Sequence, residues 1–185
     1  MRKIVVVFPG VGYTKDRPLL YYAGKTAVNH GYALKHISFE GLEWSKEKLT
    51  DRTFLSQTLE KCLHMTEEAF KDMGDISGDE VVFISKSIGT VVATAYARKK
   101  SLNVKQICFS PLEMIGTYIG KEGGVLFCGD ADPYADIVPI EKIAKDKQLE
   151  IHKIHGGNHS LETNDILTDI DNMKDIMKRV AEVIR

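Results

Sequence analysis

Cysteine, excess charge and long apolar runs are all scarce in this sequence. Its three cysteines, Cys62, Cys108 and Cys128, are odd in number and contain no Cys-x-x-Cys pair. That argues against a disulfide framework and a zinc site, and for reduced, buried thiols of a cytoplasmic protein. Twenty-five basic residues stand against 26 acidic ones, for a formal net charge of −1. Without a basic excess there is no electrostatic footprint for nucleic acid or an anionic membrane surface. No apolar stretch approaches the roughly 20 residues needed to cross a bilayer. The amino end, Met1-Arg2-Lys3-Ile4-Val5-Val6-Val7-Phe8-Pro9-Gly10, meets Pro-Gly after five apolar residues, too soon for a secretory signal. Neither linker nor repeat nor low-complexity tract breaks the chain, so residues 1–185 are expected to form one domain. A chain of this length buries roughly 70% of its unfolded surface and needs no staple.

What is present is an alternation of short β-branched runs with helical patterns. Ile4–Phe8 has the length and apolarity of a strand buried on both faces. Pro18 opens a helix that ends near Asn29-His30-Gly31. Further strands are expected at Tyr32–Phe39, Val81–Ile84, Val104–Phe109, Val125–Cys128 and Leu149–Ile154. Helices are expected over Asp51–Met73, Ile88–Lys100, Pro139–Lys147 and Asp169–Arg185. Glu40–Thr50, with the sole tryptophan Trp44, reads as a polar connection. The Leu stripe of Asp51–Met73 and the stripe of Ile170, Met173, Ile176, Met177, Val180 and Val183 read as core faces. Strand–helix alternation implies an α/β fold: six strands in a mostly parallel sheet with helices on both faces.

Chemistry in such a sheet gathers beyond the carboxyl ends of the strands. Four loops lie there: Pro9-Gly10-Val11-Gly12-Tyr13, Ser85-Lys86-Ser87-Ile88-Gly89, Gly129-Asp130-Ala131-Asp132-Pro133, and His155-Gly156-Gly157-Asn158-His159-Ser160. Between them they carry a serine at a strand-to-helix corner, two aspartates and two histidines. Ser87 reads as a nucleophile held at a sharp turn with Gly89 two positions later, or as the N-cap of an ordinary helix. Asp130 and Asp132 are alternative acids, and both also suit a tight turn. His159 and His155 are alternative bases. His30, His36, His64 and His152 fall in helix or strand patterns and read as surface or packing residues.

On these motifs the chain resembles the α/β-hydrolase family, from Ile4 to the last helix. Ser85-Lys86-Ser87-Ile88-Gly89 resembles its nucleophile elbow, Gly129-Asp130-Ala131-Asp132 its acid loop, and Gly156-Gly157-Asn158-His159 its histidine loop. The resemblance is to small, lidless members with a minimal sheet, the family's third through eighth strands. Ser85 replaces the usual glycine, and Phe8-Pro9-Gly10 stands where many members have His-Gly. The resemblance implies a serine hydrolase acting on a small-molecule ester or thioester through an acyl-enzyme. It assigns Ser87 as nucleophile, His159 as base and Asp132 as the acid orienting it. The amides of Ile88 and Val11, with Gly12 as substitute for Val11, would form the oxyanion hole. No cofactor and no metal are implied, and the oligomeric state is left open.

Other motifs fit less well. Gly24-Lys25-Thr26 imitates a phosphate loop, but Leu19 occupies the position of its first glycine. Gly10-Val11-Gly12 hints at a dinucleotide turn, but Lys15 stands where the third glycine belongs. Lys86 reads as a solvated lysine or a cation facing substrate. Met114, Ile115, Tyr118 and Ile119 would line one wall of the site or cover the sheet. A non-catalytic binding protein on the same scaffold is the alternative function.

Overall fold

The computed structural model describes residues 1–10, 12–42, 51–121 and 124–185. Six strands form the sheet: β1 (Lys3–Phe8), β2 (Ala33–His36), β3 (Glu80–Lys86), β4 (Lys105–Phe109), β5 (Gly124–Gly129) and β6 (Glu150–Ile154). Their order is β2-β1-β3-β4-β5-β6, and every pairing is parallel. The helices are α1 (Pro18–Asn29), α2 (Arg52–Phe70), α3 (Ile88–Lys99), α4 (Ile115–Tyr118), α5 (Ile137–Lys147) and α6 (Ile166–Ile184).

The period of two along each strand divides the core into two layers. Val5 and Val7 of β1 pack with Leu19, Leu20, Ala23 and Ala27 of α1 and Ile176, Val180 and Ile184 of α6. Ile4, Val6 and Phe8 point to the other face, against α2 and α3. Helix α3 is buried from Ile88 to Ala97, which explains its small-residue sequence. It lies so near β1 that a Cβ on Gly89 would stand 2.4 Å from the Pro9 carbonyl oxygen and 2.6 Å from that of Phe8.

Several element limits differ from the sequence expectation. Strand β2 ends at His36 rather than Phe39, because its only partner, β1, ends at Phe8 ahead of Pro9. Helix α5 starts at Ile137, not Pro139, because the Asp136 side chain caps it by accepting from Val138 N at 3.0 Å. Pro139 then falls in the first turn, where no intrahelical donor is missed. Helix α6 starts at Ile166, capped by Asp165, and Ile170, expected in the core stripe, is exposed. Trp44 and the expected connection from 43 to 50 lie outside the described residues.

The strand order reverses direction at β1, with β2 on one side and β3 on the other. A crevice therefore opens at the carboxyl ends of β1 and β3, the usual ligand position in such sheets. The loop after β1 and the corner after β3 meet there. A Cβ on Gly10 would lie 3.1 Å from the Ser87 Cβ.

Candidate active site

Ser87 joins β3 to α3 at φ 54° and ψ −125°, a strained conformation for a residue with a side chain. It is the N-cap residue of α3, yet its side chain makes no capping hydrogen bond. The N-cap alternative is therefore corrected: the hydroxyl is turned away from the helix it precedes. Ser87 Oγ lies 2.8 Å from His159 Nε2, and His159 Nδ1 lies 2.7 Å from Asp132 Oδ2. A carboxylate only accepts, so Nδ1 carries the proton and Nε2 is left to accept from the serine. The side chain of Asp132 is 2% exposed, so water competes little for that bond. Its other oxygen, Oδ1, accepts from Tyr134 N at 2.8 Å in an Asx turn.

Backbone packing brings the two loops together. A Cβ on Gly129 would stand 2.0 Å from the Gly157 carbonyl oxygen. In its absence, the carbonyl of Gly157 accepts from Ala131 N at 3.0 Å. Asn158 then winds the histidine loop: its side-chain oxygen accepts from Ser160 N at 2.7 Å, and its carbonyl from Leu161 N at 2.9 Å. The carbonyl of His159 itself accepts from Ser110 Oγ at 2.9 Å and Lys86 Nζ at 2.5 Å. The Tyr134 ring stands edge-on to the imidazole, with centroids 5.2 Å apart.

The rival acid and base pair with each other instead. His155 Nδ1 lies 2.8 Å from Asp130 Oδ2, with the histidine side chain in full solvent contact. Gly156 N donates to Asp130 Oδ1 at 2.6 Å. That pair holds Asp130 below the usual carboxylate range and staples the loop base. Neither residue is hydrogen-bonded to the Ser87 side chain.

Ile88 is the first helical residue after Ser87, so its amide belongs to the donors that a helix cannot satisfy internally. Val11 lies outside the described residues. Gly12 lines the same cavity as Ser87. Ser85, which replaces glycine, is fully buried, and its hydroxyl donates to the Ile107 carbonyl at 3.3 Å. Met114, Ile115, Tyr118 and Ile119 do not line the cavity beside Ser87. Ile115 and Ile119 are buried, with Met114 and Tyr118 packed against the same core.

Of the two sequence readings of Lys86, a solvated lysine or a cation facing substrate, the first is overturned. It is wholly buried, not solvated, with its Nζ 5.2 Å from the centroid of the Tyr13 ring. It lines a cavity of about 230 Å³ together with Tyr13, Ser87, Tyr134 and His159. Nothing in its neighbours in sequence predicts this, because strand β3 reads as buried only up to Ile84. Desolvation lowers its pKa to about 7, only partly offset by the carboxylates of Asp132 and Glu162.

The sign of the consequence follows from linkage. In the folded chain Lys86 loses its proton near neutral pH, whereas the unfolded chain keeps it up to the ordinary value of 10.5. Between those limits the unfolded state binds the extra proton, so this residue makes stability rise with pH. Below about pH 7 the full cost of burying the ammonium is felt. Lys86→Met keeps the volume, and Ser110 still serves the His159 carbonyl. The variant is therefore expected to be more stable than wild type at pH 6, on the order of 1–4 kcal/mol, with the gain shrinking toward pH 9.5. Urea midpoints at both pH values check this; an equal gain at each contradicts it.

No protein-family model matches the chain, and no curated protein matches it either. Solved structures do. One described as a hydrolase of the alpha/beta superfamily, from Xanthomonas campestris pv. campestris, superposes with a TM-score of 0.69 at 13% identity. That alignment covers 99% of this chain and 98% of the other. A serine hydrolase without a lid, also from Xanthomonas campestris, gives a TM-score of 0.69 at 12% identity, covering 98% and 80%. A Pyrococcus furiosus esterase gives 0.69 at 13% identity, covering 98% and 82%. Identity this low speaks to architecture alone. The architecture is the α/β-hydrolase fold.

Proposed function

We propose that the protein is a serine hydrolase that cleaves an ester or thioester of a small molecule. The observation carrying this reading is the hydrogen-bonded series Asp132–His159–Ser87, drawn from three separate strand-end loops with the serine at a strained corner. Packing alone gives no reason to hold a serine at φ 54° with its hydroxyl on an imidazole. The esterase and serine hydrolase among the structural neighbours support the same chemistry.

In this reading His159 Nε2 takes the Ser87 proton as Oγ attacks the acyl carbon. Asp132 holds the ring in the tautomer with Nδ1 protonated and stabilises the imidazolium that forms. The Ile88 amide, at the positive end of α3, and the Val11 amide would receive the oxyanion. His159 then passes its proton to the departing alcohol or thiol, leaving an acyl-Ser87 ester. A water activated by the same imidazole releases the acid and restores the serine. Each step needs only groups of this chain and water, so no cofactor enters the scheme.

Two further features of the molecule belong to the proposal. We read residues 1–185 as one working domain, since all three loops rise from a single sheet. The free, buried thiols of Cys62, Cys108 and Cys128 suit the reducing cytoplasm. Among the described residues no helix is long and apolar enough to cross a membrane. The test is turnover of short p-nitrophenyl esters and acyl thioesters by the purified chain. Hydrolysis of at least one class well above the buffer rate is expected. A folded chain that leaves every such substrate intact contradicts the reading.

A further inference from the structure

The cavity beside Ser87 does not end at the imidazole. Pro18, Ser160 and Glu162, which form its far side, also form one end of a second and larger depression of about 700 Å³. That depression runs between the first turns of α1 and the amino-terminal half of α6. Its floor is apolar: Leu161 and Ile176 are buried in it, and Met173 is partly so. Its rim carries apolar side chains as well, beside the exposed Glu162 and Asn164. Ile166 is 70% exposed, Ile170 59% and Tyr22 52%, which is much isolated apolar surface for one groove. Leu161 reaches the floor from a left-handed backbone, φ 62°, only two residues after His159. Asp169, which also lines the depression, has its Oδ1 engaged, accepting from Thr163 N and Thr163 Oγ1 at 2.6 and 2.7 Å.

We propose that this groove is a subsite for an unbranched alkyl chain carried by the substrate, so that the protein prefers medium-chain esters or thioesters. The inference rests on the hydrolase reading above and deepens it. Two features select this occupant. The groove is continuous with the reacting hydroxyl through three shared residues, so a chain attached to the scissile group enters it without leaving the protein surface. The channel also offers an apolar bed of Leu161, Met173 and Ile176, with Glu162 and Asn164 at its exposed edge and Asp169 tied to Thr163, which matches methylenes rather than a sugar, a peptide or a nucleotide. The chain belongs to the acyl part or to the alcohol or thiol part of the substrate, and the experiment separates these.

Burying one methylene completely strengthens binding about fourfold. A groove open along one side covers about half of each, roughly twofold per methylene and about 60-fold over the six that separate acetate from octanoate and ethanol from octanol. Two series serve as probes: p-nitrophenyl esters from acetate to octanoate, and acetates of alcohols from ethanol to octanol. A rise in kcat/KM of this order along one series is expected, and that series identifies the arm that lies in the groove. The double variant Ile166→Ser/Ile170→Ser alters only exposed side chains. It is expected to abolish the rise while leaving turnover of the shortest ester within about twofold. Flat kcat/KM along both series, or a rise unchanged in the double variant, overturns the subsite but leaves the hydrolase reading intact. If light scattering shows that the variant converts a dimer to a monomer and both series are flat, the groove is a contact between copies, and the subsite is again overturned. Failure to hydrolyse even the shortest esters of both series, with Ser87 inert to phosphonate, removes both readings together.

Discussion

Replacing Ser87 by alanine is expected to lower ester or thioester turnover by roughly 10⁴- to 10⁶-fold, with little change in stability. The large loss follows because the variant removes the hydroxyl that lies 2.8 Å from His159 Nε2. Ser110, whose hydroxyl also meets the histidine loop, spends it on the His159 carbonyl. The small change in stability follows from the local geometry. Ser87 contributes no side-chain cap to α3, so deleting Oγ leaves no helix amide unpaired. Alanine also inherits the same positive φ, at a similar conformational cost. The helix start is held instead by Thr90, whose amide and hydroxyl both donate to the Ser87 carbonyl, at 2.9 and 2.6 Å. Equal turnover by wild type and Ser87→Ala, with both folded by circular dichroism, contradicts the assignment. An equal loss accompanied by a large fall in urea midpoint contradicts the account of the corner.

The second large effect is expected at Gly129, although it touches no substrate. A methyl group there would meet three backbone atoms of the histidine loop: Gly157 O at 2.0 Å, Gly157 C at 2.5 Å and Asn158 O at 2.8 Å. None belongs to a side chain that can swing aside, so either β5 or the loop must move. Movement of either separates Asp132 from His159, because the loop leaving β5 carries one and the histidine loop the other. Overpacking in a well-packed site costs about 1–3 kcal/mol, and backbone against backbone belongs at or above that limit. Gly129→Ala is therefore expected to lose about 3 kcal/mol or more, and turnover with it. Urea unfolding and the ester assay read the two losses separately. A variant with an unchanged midpoint would show that the close approach is not required.

Much of the layout was legible because its signals are local. The apolar run of β1, the proline that opens α1 and the small-residue pattern of α3 each report a neighbour-independent constraint. The corner was legible because sterics demand a small residue at Gly89, where strand and helix backbones nearly touch. The division of labour between the two aspartates and two histidines was not written in the residues alone. It depends on which carboxylate faces the crevice and which faces water, and successive loop residues differ in that by a single turn. Resemblance to a family supplied the preference, and the distances then separated Asp132–His159 from Asp130–His155.

Other features escaped the sequence for physical reasons. Lys86 looks like a surface residue because lysines usually are. Its burial follows from Tyr13 and the His159 carbonyl closing over it, contacts spanning 73 residues in each direction that no window along the chain contains. Ile166 and Ile170 continue the apolar stripe of α6, yet α1 begins only at Pro18, too late to cover them. The period of 3.6 gives the face of a helix but not the length of its neighbour. The groove beside the candidate site is the result.

The most direct measurement of the central claim, that an imidazole draws the proton from the hydroxyl at the corner, is covalent labelling by a fluorophosphonate. Intact-mass and peptide analysis should find one adduct per chain, on Ser87, formed at least a hundredfold faster in wild type than in folded His159→Ala. Adduct formation at the same rate in both, or on a residue other than Ser87, would contradict the account.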